Sequence, residues 1–202
     1  SNRQPRQPVT KQRDYHLTKH HDPHQPEHNR RHAQPHQAVA GQQPQQLGVG
    51  EPGTNAGKAQ EASNRAVELD PDSAEAHASR GIALSVSKRY EEARAEFEKA
   101  IDLNPNNSNL YIALGNFYFR KNNSDKAETA YLKAIEADPN NIKPYMVTAG
   151  FYNTIGNQAK TLSMYQKALE LQPKDIRILE SIARFYVKIK RIDDAEKYIA
   201  RI

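Results

Sequence analysis

Histidine is the side chain best equipped for chemistry in this chain, and its spacing is unusual. Seven of the eight histidines precede residue 40. Six of them, His16, His20, His24, His28, His32 and His36, recur every fourth residue. On a helix, histidines four apart can share one metal ion. A step of four, however, advances about 40° past a full turn, so six such residues wind around a helix and form no single stripe. Pro23, Pro26 and Pro35 would also break that helix. Two readings remain: a flexible chelator of Zn²⁺, Cu²⁺ or Ni²⁺, with His20 and His24 as the pair to test, and a low-complexity spacer that binds no metal. The spacer is the reading adopted, and no cofactor is expected.

Other catalytic patterns fail on inspection. Gly53-Thr54-Asn55-Ala56-Gly57-Lys58 is one residue short of phosphate-loop spacing, and no Ser or Thr follows Lys58. The chain has no cysteine, which excludes disulfides, zinc–thiolate sites and a thiolate nucleophile. After residue 55 the only histidine is His77, so no Ser–His arrangement can be built there. The chain is therefore expected not to be an enzyme. Net charge is +5, but the 22 Lys and Arg after residue 55 face 20 Asp and Glu. A nucleic-acid binder concentrates positive charge on its folded surface, so no nucleic-acid partner is expected. No apolar run approaches the ~20 residues of a membrane helix. The chain starts at Ser1, so a cytoplasmic location and an exported one after signal removal both stay open.

The elements that could position a binding surface are written in a repeat. Pro71, Pro105, Pro139 and Pro173 lie 34 residues apart. Small residues recur at Gly81, Gly115, Ala149 and Ala183. Large ones follow at Leu84, Tyr118, Tyr152 and Tyr186, and at Phe97, Tyr131, Tyr165 and Ile199. Small side chains let two helices approach closely while the aromatic residues fill the space beside them. Two residues after each proline stand Ser73, Asn107, Asn141 and Asp175, all good N-cap types. The pattern predicts helices near 56–69, 74–87, 90–103, 108–121, 125–137, 142–155, 158–171, 176–189 and 192–202. Three Phe-Tyr doublets, at Phe117, Phe151 and Phe185 with the tyrosine that follows each, could stack on bases. At this spacing they read as core packing between helices.

This pattern resembles the tetratricopeptide repeat family. Tyr111, Leu114, Gly115, Tyr118, Ala127, Tyr131 and Pro139 stand where its signature places them. The resemblance covers residues 56–202 and implies an all-α, right-handed α-solenoid of stacked helix–turn–helix repeats behind an irregular tail. The expected division is a Pro-, Gln- and His-rich low-complexity tail over 1–55, a half-repeat over 56–73, and repeats over 74–107, 108–141, 142–175 and 176–202. His77 and Arg80 stand where large apolar residues are usual, and Thr161 where alanine is usual, so looser packing is expected at those points.

The resemblance also implies a function. The first helices of such repeats line a groove that holds a polypeptide segment, so a protein-interaction scaffold is expected. Its groove residues would be Ile112, Asn116, Phe119, Arg120, Lys143, Met146, Asn153, Arg177, Arg184 and Lys188. That row runs from apolar toward basic. The basic clamp with which some relatives hold chaperone tails is matched only at scattered positions. The partner would be a protein or peptide, including another copy of this chain through Ile199 and Ile202 on the last helix. The alternatives carried forward are a self-assembling structural protein and metal buffering by the tail.

Overall fold

A computed structural model describes residues 54–202. The proposed metal pair, His20 and His24, and the tail around it lie outside the described residues. Within them nine helices follow one another: α1 Asn55–Leu69, α2 Ala74–Val86, α3 Tyr90–Leu103, α4 Ser108–Arg120, α5 Ser124–Ala137, α6 Ile142–Thr154, α7 Gln158–Leu171, α8 Ile176–Lys188 and α9 Ile192–Ile199. No strand occurs among the described residues. The bounds differ from those expected by at most one residue, except at the last helix. There α9 ends at Ile199 rather than 202.

Chemistry at the helix ends explains why the boundaries were readable. Ser73, Asn107, Asn141 and Asp175 each accept a hydrogen bond from a backbone N–H in the first turn of the helix that follows. Asn123 and Asn157 do the same for α5 and α7. Helices α3 and α9 have no side-chain cap, but they carry Glu91 and Glu92, or Asp193 and Asp194, in the first turn. Acidic groups there oppose the positive end of the helix dipole.

Between the helices of each pair the chain turns through one left-handed residue: Lys88, Asn122, Gly156 and Lys190, at φ 62°, 55°, 79° and 62°. Each is followed by an N–H that reaches back five residues, to Leu84, Tyr118, Tyr152 and Tyr186, at 2.9–3.0 Å. This is the Schellman closure, which satisfies carbonyls that a helix end leaves unpaired.

The core is assembled by exchange of small for large. Tyr131 lies across Gly115 and Phe97 across Gly81. Ala149 and Tyr165 share one buried cluster. Aromatic contacts then join successive repeats in one register: Phe97 on Phe117 at 5.5 Å, Tyr131 on Phe151 at 5.1 Å, and Tyr165 on Phe185 at 6.2 Å. The Phe-Tyr doublets are therefore core, not a base-stacking surface. Phe117, Phe151, Tyr152, Phe185 and Tyr186 are all buried.

One expectation is corrected. Packing at His77, Arg80 and Thr161 is not loose. Buried His77 sets Nδ1 2.7 Å from Glu96 Oε2 and Nε2 2.8 Å from the Pro71 carbonyl, while Arg80 donates to Glu96 Oε1. A hydrogen-bonded cluster thus joins α2, α3 and the turn before α2 where apolar contact was expected. Thr161 is fully buried and donates to the Asn157 carbonyl at 2.8 Å, which satisfies its hydroxyl inside its own helix.

Candidate polypeptide-binding groove

Helices α2, α4, α6 and α8 are the first members of their pairs, and α4 touches both α2 and α6 directly. Side-chain hydrogen bonds bridge successive first helices and their caps. Asn107 Nδ2 donates to Glu75 Oε1 at 3.0 Å, and Arg120 donates to Ser85 Oγ at 3.1 Å. Lys143 Nζ donates to Asn109 Oδ1 at 2.6 Å. Lys188 Nζ donates to Asn153 at both Oδ1 (2.8 Å) and the backbone carbonyl (3.2 Å). Three cations of the expected groove are therefore already engaged, but with neutral oxygens. The bonded cations on second helices go to carboxylates instead: Arg94 to Glu91 and Glu98, Lys160 to Glu128, Lys167 to Glu170 and Lys197 to Asp194, which also pairs with Arg191 at the start of α9.

A hollow of about 260 Å³ opens between α2 and α4 and reaches Lys143 on α6. Its apolar part is Ile82, Phe97, Ile112, Ala113 and Phe117; its polar part is Ser85, Asn109, Asn116, Arg120 and Lys143. Of the ten expected groove residues it brings together four: Ile112, Asn116, Arg120 and Lys143. Ile112 is 7% exposed and Ile82 is 47% exposed. Asn116 is fixed from behind, because the Tyr131 hydroxyl donates to its Oδ1 at 2.7 Å. Burial pushes that phenol up to about 12, so it remains a donor.

The other expected residues lie elsewhere. Phe119 packs edge-on against Phe151, at 5.5 Å and 88°. Met146 packs against the buried cluster of Ile178 and Ile182. Asn153 and Lys188 form the α6–α8 bridge. Arg177 pairs with Asp175 and Arg184 with Glu180, so both are neutralised within α8 or at its cap. Phe97 and Phe117 line the hollow although their spacing marks them only as core. The signal that could have found them is the 20-residue step from each second-helix aromatic to the next first helix. On the last helix, Ile192, Ile199 and Ile202 are 50–54% exposed, with Ile202 just beyond its end. Among the described residues no group of three or more His, Asp or Glu could hold a metal ion. None of their helices is long and apolar enough to cross a membrane.

Paired helices whose caps, left-handed turns and aromatic contacts recur every 34 residues define an all-α repeat solenoid. Two family models of the tetratricopeptide repeat match it, over residues 54–108 and 87–149. Residues 54–149 thus carry tetratricopeptide repeats. Solved structures share the fold. MamA is 21% identical, with 73% of this chain and 92% of that chain covered and a TM-score of 0.55. PilF of Pseudomonas aeruginosa is 20% identical, with 73% and 67% covered and a TM-score of 0.58. YrrB, a TPR protein with an unusual peptide-binding site, is 21% identical, with 72% and 75% covered and a TM-score of 0.51. No curated protein matches the sequence.

Proposed function

We propose that this chain is a non-catalytic protein-interaction scaffold whose groove, along α2, α4, α6 and α8, holds an extended polypeptide segment. The array is read as a half-unit over 56–73 and four units over 74–202, with residues 1–55 as a low-complexity sequence. One apolar side chain of the segment enters the hollow between Ile82 and Ile112. Acidic side chains on either side face Arg120, Lys143 and Lys188. The observation that carries this reading is the pairing of those three cations with neutral oxygens. Each is already positioned, and each keeps its charge uncompensated by a carboxylate. Charge of one sign along a groove recruits a partner of the opposite sign and sets its register. The fold likeness to YrrB, whose description names a peptide-binding site, supports the class of ligand.

The test is fluorescence anisotropy with two synthetic peptides, one leucine flanked by glutamates and the same leucine flanked by lysines. The acidic peptide should bind, with an affinity that falls as salt rises. Arg120→Gln combined with Lys143→Gln should weaken it by about tenfold or more. Equal binding of both peptides, or indifference to the double substitution, would sink the reading. A second reading is self-association through α9, favoured by the half-exposed Ile192, Ile199 and Ile202. Sedimentation over a concentration series tests it: mass that rises with concentration and falls back in Ile202→Lys supports it, and a concentration-independent monomer removes it.

A further inference from the structure

A second hollow, of about 360 Å³, lies away from the groove at the edge where the helix pairs turn. It is lined by Tyr90, Glu91, Arg94, Phe117, Tyr118, Lys121, Asn123 and Lys126. Its chemistry is best understood against the same place one repeat later. There Glu128 accepts from the Tyr152 hydroxyl at 2.8 Å and from Lys160 Nζ at 2.6 Å, and Lys160 also lies over the Tyr152 ring. A tyrosine, a lysine and a carboxylate close that edge.

Stepping back 34 residues keeps two of the three groups and changes the third. Tyr152 becomes Tyr118, Lys160 becomes Lys126, and Glu128 becomes Arg94. Lys126 still lies over the Tyr118 ring, at 5.5 Å. No carboxylate joins them. Arg94 pairs with Glu91 at 3.0 Å and Glu98 at 3.8 Å. Among the described residues no group accepts a hydrogen bond from the Tyr118 hydroxyl, and neither Lys121 nor Lys126 is paired with an acid.

This edge also holds two residues without counterparts in the next repeat. Tyr90 corresponds to Ser124, and Lys121 to Ile155. Lys121 Nζ sits 3.5 Å from the centre of the Tyr90 ring, a cation held on an aromatic face. The α5 N-terminus, capped by Asn123, opens onto the same hollow and adds the positive end of its dipole. Glu91 is the only carboxylate on the lining, against three cations.

We propose that this hollow is an oxyanion site, in which an external carboxylate or phosphate group takes the place that Glu128 fills one repeat later. The Tyr118 hydroxyl and Lys126 ammonium donate to it, as Tyr152 and Lys160 donate to Glu128, and Lys121 flanks it. Burial, and after it the nearby carboxylates of Glu98 and Glu91 against the opposing charge of Arg94, raises the Tyr118 phenol above its ordinary value, which keeps it a donor at neutral pH. The volume exceeds that of a bare carboxylate and admits the side chain that carries the anion. The two hollows share only the buried ring of Phe117 and no polar group, so the site stands or falls independently of the scaffold reading.

The experiment is an amide-shift titration of the ¹⁵N-labelled full chain with inorganic phosphate, and separately with glutarate, at constant ionic strength held by chloride. Saturable shifts are expected at Tyr118, Lys121, Asn123 and Lys126. Lys126→Gln and Tyr118→Phe should each weaken binding by about fivefold or more, while Lys174→Gln, at an exposed lysine outside both hollows, leaves it unchanged. Melting curves of the two variants check that they remain folded, and Tyr118→Phe keeps the ring packing. Saturation by glutarate alone assigns a carboxylate ligand, and saturation by phosphate alone a phosphoryl ligand. Saturation by neither, or equal shifts in wild type and Lys126→Gln, overturns the proposal.

Discussion

Gly115→Ala probes the close crossing of α4 on α5. A Cβ at this position would lie 2.6 Å from Tyr131 Cε1, 2.7 Å from Cδ1 and 3.0 Å from Cζ. The ring has little room to retreat. It is 2% exposed, packs on Phe151 at 5.1 Å, and is tied to Asn116 through its hydroxyl. Overpacking of this kind costs ~1–3 kcal/mol. Alanine recovers ~1 kcal/mol of helix propensity over glycine. The expected net is a loss of up to about 2 kcal/mol, and a melting temperature lower by as much as ~8 °C. Gly81→Ala is the internal control. There the added Cβ meets Phe97 at 3.0–3.1 Å, a gap that a few tenths of an ångström relieve. The propensity gain then offsets the contact, and stability should stay within ~0.5 kcal/mol of wild type. Urea unfolding followed by circular dichroism measures both. Tyr131→Leu placed in the Gly115→Ala background should restore part of the loss, since the pair exchanges volume. If Gly115→Ala unfolds at or above the wild-type midpoint, the close crossing is not what positions α4 on α5.

Three further outcomes follow from local chemistry. Burial opposes ionisation of Glu96, but hydrogen bonds from Arg80 and His77 outweigh it and hold its carboxyl below the ordinary value of 4.5; Lys160 and then Tyr152 do the same for Glu128. Because the folded values are depressed, this stabilisation is complete above pH 4.5 and drains away as pH falls below it. Glu96→Gln should flatten the acid limb of Tm against pH, and an unaltered limb would remove Glu96 from the account. Lys88→Gly and Lys190→Gly, each at a left-handed turn, should stabilise by ~0.5–1 kcal/mol in the same urea assay, because a non-glycine residue carries a steric cost there. Asn141→Ala removes the cap of α6 and should cost ~1 kcal/mol, read as a lower unfolding midpoint.

The elements whose signal is local could be read from the chain. Caps at Ser73, Asn107, Asn141 and Asp175 act within three residues, and the Gly115–Tyr131 exchange repeats at the helix-pair period. Asn122 and Gly156 mark left-handed turns by residue type, whereas Lys88 and Lys190 occupy the same conformation with no such mark. Their geometry is imposed by the Schellman closure around them. His77 looked like a packing defect because its partners, Glu96 and the Pro71 carbonyl, lie on other elements. The groove was least legible. Arg120, Lys143 and Lys188 were placed on it from the repeat pattern, but their bridges to Ser85, Asn109 and Asn153 depend on how far each repeat rotates on the last. That rotation comes from the packing of Phe97 on Phe117 and its successors, a long-range quantity that no single window encodes.

Main-chain hydrogen bonds among the described residues close within one helix or its adjoining turn, and those that cross from one repeat to the next are the local first-turn bonds to Ser73, Asn107 and Asp175. Neighbouring repeats are held by aromatic faces, by buried aliphatic contacts such as Met146 against Ile178 and Ile182, and by long, mostly exposed side chains. Such a molecule is an elastic strip. Its springs are soft in torsion, since a lysine can keep its bond while its stem rotates, and stiff within each helix pair. Pull on the two ends and the pitch should give before any helix does. A segment bound across three repeats would set the strip's natural length, so tension and occupancy would be conjugate quantities. Stretching would loosen the ligand, and the ligand would resist stretching.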